Sequence, residues 1–242
     1  MSGHSKWSKI KHQKKITDAR KSRSFSKLTR DIKIAVKEGG PDPDLNFRLR
    51  LAIQKAKAGN LPNDNIDRTI ERASGTGDSS QFEELRLEII GPENFQGLVF
   101  ALTDNKNRTL PEMKSIIEKA GFKVASAGAV SWAFKQVGSI EILKDQLENI
   151  NQEDLELAAI EAGAEDIKSS AENVIIISDI QNLESIKSKI EALGIQEPNA
   201  EIKWLADNTI ETSAEIQEKV ANLLEQLEEI EEFSDLATNV LE

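Results

Sequence analysis

Lys6, Lys9, Lys11, Lys14 and Lys15 crowd around Trp7 in the opening run MSGHSKWSKIKHQKK. Ammonium groups neutralise phosphates, and an indole can stack on a base, so this mixture points to contact with a polyanion. A solvated tail with Trp7 docked on the protein is the alternative that residue types leave open. Arg20, Lys21, Arg23, Lys27 and Arg30 continue the basic run, and Arg48 and Lys55 stand two turns apart farther on. Together these are the candidate nucleic-acid-binding residues. Bond-making chemistry has less support. His4 and His12 are the only histidines and there is no cysteine. A Ser-His-Asp triad, a His-Glu-x-x-His helix and every thiolate metal site are therefore excluded. No catalytic residue, metal ligand set, cofactor or small-molecule substrate is expected.

The charges are segregated along the chain. Residues 1–37 carry 12 Lys or Arg against Asp18 and Asp31, a net +10. Residues 38–75 are neutral, and from Thr76 onward 13 basic face 34 acidic residues, a net −21. A basic head on an acidic body implies one defined docking face, because the body itself repels polyanions.

At 242 residues the chain is long enough for two or three domains. No apolar run reaches membrane-spanning length, no secretory signal follows the lysines, and the absence of cysteine fits a reducing compartment. A Ser-rich basic N-terminus also has the look of a mitochondrial transit segment, against which stand its excess of Lys over Arg and its two aspartates. A cytoplasmic protein with no membrane partner is expected.

Phe25, Leu28, Ile32, Ala35 and Val36 recur at helical spacing and predict an amphipathic helix over 17–37 with an outer basic face. Gly39 and Gly40 end it, and Pro41 and Pro43 force an extended turn. A second helix is predicted over 45–58, with Leu45, Leu49, Ala52, Ile53 and Ala56 buried and Arg48 and Lys55 on its solvent face. A third begins with Asn63 as its cap and carries Ile66, Ile70 and Ala73. After the linker SGTGDSS (74–80), strands alternate with helices: strands over 85–90, 98–103, 139–143, 174–178, 202–210 and 236–241, helices over 110–119, 155–162, 183–193 and 213–227. Val130, Trp132 and Phe134 alternate onto one face of a further strand. The fold class is α+β and multi-domain: an N-terminal three-helix bundle, then two α+β domains, the third inserted in the second. The expected divisions are 1–75, 81–136 plus 204–242, and the insertion 137–203.

Three further motifs invite a chemical reading. TDNKNRT (103–109) offers Asp104 as a metal ligand, yet Thr109 with Glu112 also fits a capping box that merely starts a helix. Gly75 and Gly77 lack the rest of any phosphate-cradling loop. The carboxylates between Glu211 and Glu232 form a solvated face or an acidic interaction surface.

Gly3-His4-Ser5-Lys6-Trp7, GGPDPDLN (39–46), PNDNID (62–67), TDNKNRT and GAVSWAF (128–134), in this order, resemble the YebC/PmpR family. The resemblance implies three domains, the third inserted in the second. It also implies a regulator of gene expression, usually described as DNA-binding and transcriptional, although translational activation in mitochondria and roles on the ribosome belong to the same family. The intact N-terminal signature implies a cytosolic chain that begins at its mature start. One segment departs: where the family commonly has a glycine-rich segment of the type YEGYGPGG, this chain reads LEIIGPENFQG (87–97), and it contains no Tyr.

Two functions follow as expectations, a DNA-binding transcription regulator and a translation factor bound to ribosomal RNA or the ribosome; the alternative, a metal-dependent nucleic-acid enzyme, lacks any constellation that supplies base, nucleophile and electrophile together. Phosphate contacts carry no sequence information and suit the first two equally. Asn63, Asn65 and Arg68 are placed to read base edges in duplex DNA, whereas the stiff GGPDP turn suits an irregular RNA crevice.

Overall fold

The structure is a computed structural model that describes residues 25–75, 82–148, 150–196 and 198–241. Its contacts divide the chain into two compact units. Among the described residues, the first holds those from 25 to 130 with Ile210–Leu236 and 240–241; the second holds those from 131 to 209 with Ala237–Asn239. The architecture is α+β, with a three-helix bundle ahead of two four-stranded sheets.

In the first unit, α1 (25–39 among the described residues), α2 (Phe47–Ala58) and α3 (Asn63–Ala73) enclose Leu28, Ile32, Val36, Leu49, Leu61 and Ile66. Two expectations fail in detail. Leu45 is 84% exposed, because the helix starts two residues later, at Phe47, while Leu51, outside the predicted stripe, is buried. Asn63 caps nothing: Pro62 occupies the N-cap position and there is no side-chain capping bond.

The first sheet has the order β3 (Lys123–Val124), β1 (Glu83–Ile90), β2 (Gln96–Thr103), β8 (Phe233–Thr238). Strands β1 and β2 are antiparallel, with Glu83 opposite Thr103 and Ile90 opposite Gln96. Leu85, Leu87 and Ile89 alternate onto the face covered by Met113 and Ile117 of α4 (Lys106–Lys119) and by Leu223 and Leu227 of α7 (Ala214–Glu228). This period-2 burial is what pins the register of the sheet.

The second unit is a sheet of order β5 (Ala164–Ser169), β6 (Asn173–Ser178), β4 (Phe134–Leu143), β7 (Asn199–Ala206), with α5 (Gln152–Glu161) and α6 (Leu183–Ala192). A Cβ added at Gly138 on β4 would stand 2.9 Å from the Leu183 Cβ, so α6 packs hard on this strand. The predicted alternation of Val130, Trp132 and Phe134 does not occur. Ser131–Ala133 is a 3-10 turn, Trp132 is 71% exposed and β4 starts only at Phe134. The cause lies in the first unit: the buried Glu88 carboxylate accepts from Gly128 N at 2.7 Å and Val130 N at 2.6 Å, taking amides that a strand would offer to a neighbour.

Candidate nucleic-acid interface

The link between α1 and α2 is a rigid tip, and the motif GGPDPDLN explains why. Gly40 has φ +86, where a side chain is strained, and a Cβ at Gly39 would meet the Asn46 side chain at 2.7–2.8 Å. Asn46 fills that space and is 5% exposed. Its Nδ2 donates to Ala35 O at 2.7 Å and Gly40 O at 2.8 Å, while its Oδ1 accepts from Leu49 N at 3.0 Å as the α2 cap. Arg50 clamps the other side, donating to Pro43 O at 2.6 Å and Asp44 O at 3.1 Å, with its guanidinium over the Phe47 ring. Asp44 N donates to the Asp42 carboxylate at 2.9 Å. What the tip presents to solvent is Pro41, Asp42, Asp44 and Leu45.

Lys6, Trp7, Lys9, Lys11, Lys14, Lys15, Arg20, Lys21 and Arg23 lie outside the described residues. Of the other candidates, Lys27 is exposed with no carboxylate in ion-pairing range among the described residues. Lys55 is exposed and pairs with Asp31 at 3.2 Å, and Arg48 is half-buried against Glu38. Burial outweighs that pairing and raises the Glu38 carboxyl above its ordinary range. Arg30 corrects the helical-face reading. It is 7% exposed and donates to Phe233 O at the start of β8, a buried site whose desolvation lowers its pKa. Periodicity within α1 could not show a partner 203 residues away. Arg68, placed by the sequence to read base edges, is exposed on α3, and Lys57 and Arg72 are exposed cations that the candidate set omitted, Arg72 standing one turn after Arg68.

TDNKNRT proves to be a helix start of a different kind from the predicted capping box. Asn105 is the N-cap of α4, its Oδ1 accepting from Arg108 N at 3.2 Å. Thr109 is buried inside the helix, its hydroxyl 2.8 Å from that of Thr103, which also accepts from Asn105 N at 2.9 Å. Arg108 pairs with Asp104 at 3.1 Å and with Glu232, and the Glu232 hydrogen bond raises its pKa. Asp104 is thus engaged by a guanidinium. No group of three or more His, Cys, Asp or Glu suited to a metal occurs among the described residues, and no helix among them is long and apolar enough to cross a membrane.

Within the same unit, α1, the start of α3, the start of β1 and the β2–α4 loop enclose a cleft of about 390 Å³. Lys33 projects along it with its ammonium 3.9 Å from the centroid of the Phe82 ring, and Lys37 Nζ donates to Phe82 O at 3.1 Å. Desolvation, with Arg30 nearby, lowers the Lys33 pKa.

Residues 5–76 match the family described as the TACO1/YebC protein N-terminal domain, and residues 82–240 match its second and third domain. A "probable transcriptional regulatory protein" of Thermoanaerobacter pseudethanolicus is 44% identical over 240 residues, which are 99% of this chain and 97% of that protein. One of the same description from Brachyspira hyodysenteriae is 43% identical over 241 residues, 99% of this chain and 96% of the other. The crystal structure of a conserved hypothetical protein from Aquifex aeolicus superposes with a TM-score of 0.81 at 36% identity, covering 93% of this chain and 91% of that one.

Proposed function

The chain belongs to the TACO1/YebC family, and on that footing we propose that it is a non-catalytic, nucleic-acid-binding regulator of gene expression acting on ribosomal RNA in the cytoplasm. The observation that carries the polyanion is the charge division, +10 in residues 1–37 against −21 from Thr76 onward. Phosphate neutralisation by lysines supplies affinity without sequence information. The rigid tip favours RNA. A stiff projection enters the irregular crevices of folded RNA, whereas duplex DNA offers only regular grooves. Docking is divided accordingly: the basic head holds the backbone and the tip finds the crevice.

The relatives' description as transcriptional regulators suggests a second reading, in which this chain regulates transcription by binding DNA. Exposed Asn63, Asn65 and Arg68 at the start of α3 would then read base edges. Replacing Pro41 and Pro43 together by Ala separates the two. The RNA reading expects ribosome co-sedimentation to fall while duplex affinity at fixed salt is unchanged. A parent protein that ignores ribosomes and binds one duplex sequence through competitor DNA belongs to the second reading.

A further inference from the structure

The cleft beside Lys33 holds chemistry that the proposed docking does not use. Its walls are mixed. Phe25 supplies half-buried aromatic surface, Leu61 and Leu102 are almost wholly buried, and Asp104 and Glu232 are both engaged by Arg108. Arg30 on the floor is committed to Phe233 O. Three groups stay available. The Lys33 ammonium has no carboxylate within ion-pairing distance among the described residues, its close contact being the Phe82 ring. The Ser26 hydroxyl and the Asn65 amide line the same cleft and make no side-chain hydrogen bond among the described residues. At about 390 Å³ the space lies within the range of small-ligand pockets.

We propose that this cleft receives one unstacked nucleotide of a single strand, with its phosphate on Lys33, its base against Phe25, and its base edge on Asn65. The inference rests on the reading of the protein as a nucleic-acid binder and adds a site to it. One available cation matches one phosphodiester; a polyphosphate would face the carboxylates of Asp104, Glu231 and Glu232. A base stacked in a duplex cannot enter, so the site reads strandedness. Its place beside the basic α1 lets a strand held by the lysines offer one base to it.

The test titrates the full chain with a labelled single strand of about twelve nucleotides, as RNA and as DNA, and with a blunt duplex, at fixed salt. Lys33→Gln removes the phosphate partner and Ser26→Trp fills the cleft; Lys57→Gln measures the loss from removing one exposed charge. Both cleft variants should weaken the single strand about tenfold relative to Lys57→Gln, the scale of one lost base stack, and leave the duplex level with Lys57→Gln. The arm that is affected, RNA or DNA, identifies the source of the nucleotide. Should Lys33→Gln disturb folding, Ser26→Trp decides alone, since that rim position is half-exposed. A parent that binds strands while the cleft variants match Lys57→Gln overturns the site and spares the functional reading. A parent that binds no nucleic acid overturns both.

Discussion

Replacing Asn46 by Ala should destabilise the unit that contains it by about 3 kcal/mol: about 1 for the lost α2 cap and about 1 for each of two buried hydrogen bonds. The three contacts are those to Leu49 N, Ala35 O and Gly40 O. For a chain of this size the loss corresponds to a fall in melting temperature of about 6–12 °C. Asn46→Asp is the sharper perturbation. Asp is as good a cap as Asn by propensity, so a capping-only account expects it to be harmless. The structure expects otherwise: a carboxylate there would face two carbonyl oxygens with nothing to donate, at a site only 5% exposed. Urea unfolding followed by far-ultraviolet dichroism measures both variants. Asn46→Asp should be at least as destabilised as Asn46→Ala, and both should lose ribosome association as the tip loosens. An Asp variant as stable as the parent would refute the claim that donation to Ala35 and Gly40 holds the tip.

Removing Lys6, Lys9 and Lys11 together should lower the log–log salt slope of binding by about 2–3 units with the melting temperature nearly unchanged; an unaltered slope removes them from the interface. Glu88→Gln should cost about 2 kcal/mol, because a charged acceptor shared by Gly128 N and Val130 N becomes a neutral amide with one donor facing a donor; equal urea midpoints would contradict it. Glu93 accepts from Ser213 N at 2.8 Å and Ser213 Oγ at 2.7 Å, and the backbone bond leads in holding its carboxyl below the ordinary value. Its stabilising contribution is therefore present above the unfolded carboxyl pKa and disappears as pH falls through the lower folded value. The stability gap between parent and Glu93→Gln should close on acidification, and a constant gap would exclude the linkage.

What sequence made legible was local. The α1 stripe Leu28, Ile32, Ala35 and Val36 is buried as its spacing requires, and the strands over Leu85–Ile90 and Leu98–Thr103 lie within β1 and β2. Strand β5 was invisible because AEDIKS is an edge strand without apolar alternation, most of its residues exposed on both faces. Arg30 and Trp132 were misplaced for a related reason. In each case a partner distant in sequence decides: Phe233 O draws the arginine inward, and Glu88 folds the loop before the tryptophan. Of the candidate interface, the charge division was legible from composition. The cleft was not, since it needs α1, α3 and the β2–α4 loop brought together.

The departure at 87–97 ties these levels together. Glu93 and Asn94 stand where the resembled segment has its glycine pair, and they keep positive φ, 58° and 62°, without glycine. Left-handed backbone of this kind costs a non-glycine residue roughly 1–2 kcal/mol, so something must hold it. Glu93 does so by reaching across to Ser213, the cap of α7, whose Leu223 and Leu227 close the core of the first sheet. The turn is thus preserved by a side-chain contact instead of by backbone freedom. Glu93→Gly should therefore relieve the strain at residue 93 yet loosen the start of α7, and hydrogen exchange at Ile216 N and Gln217 N should quicken even where the melting temperature is unchanged. Unaltered exchange there would mean that Ser213 alone secures the helix and that Glu93 serves only its own turn.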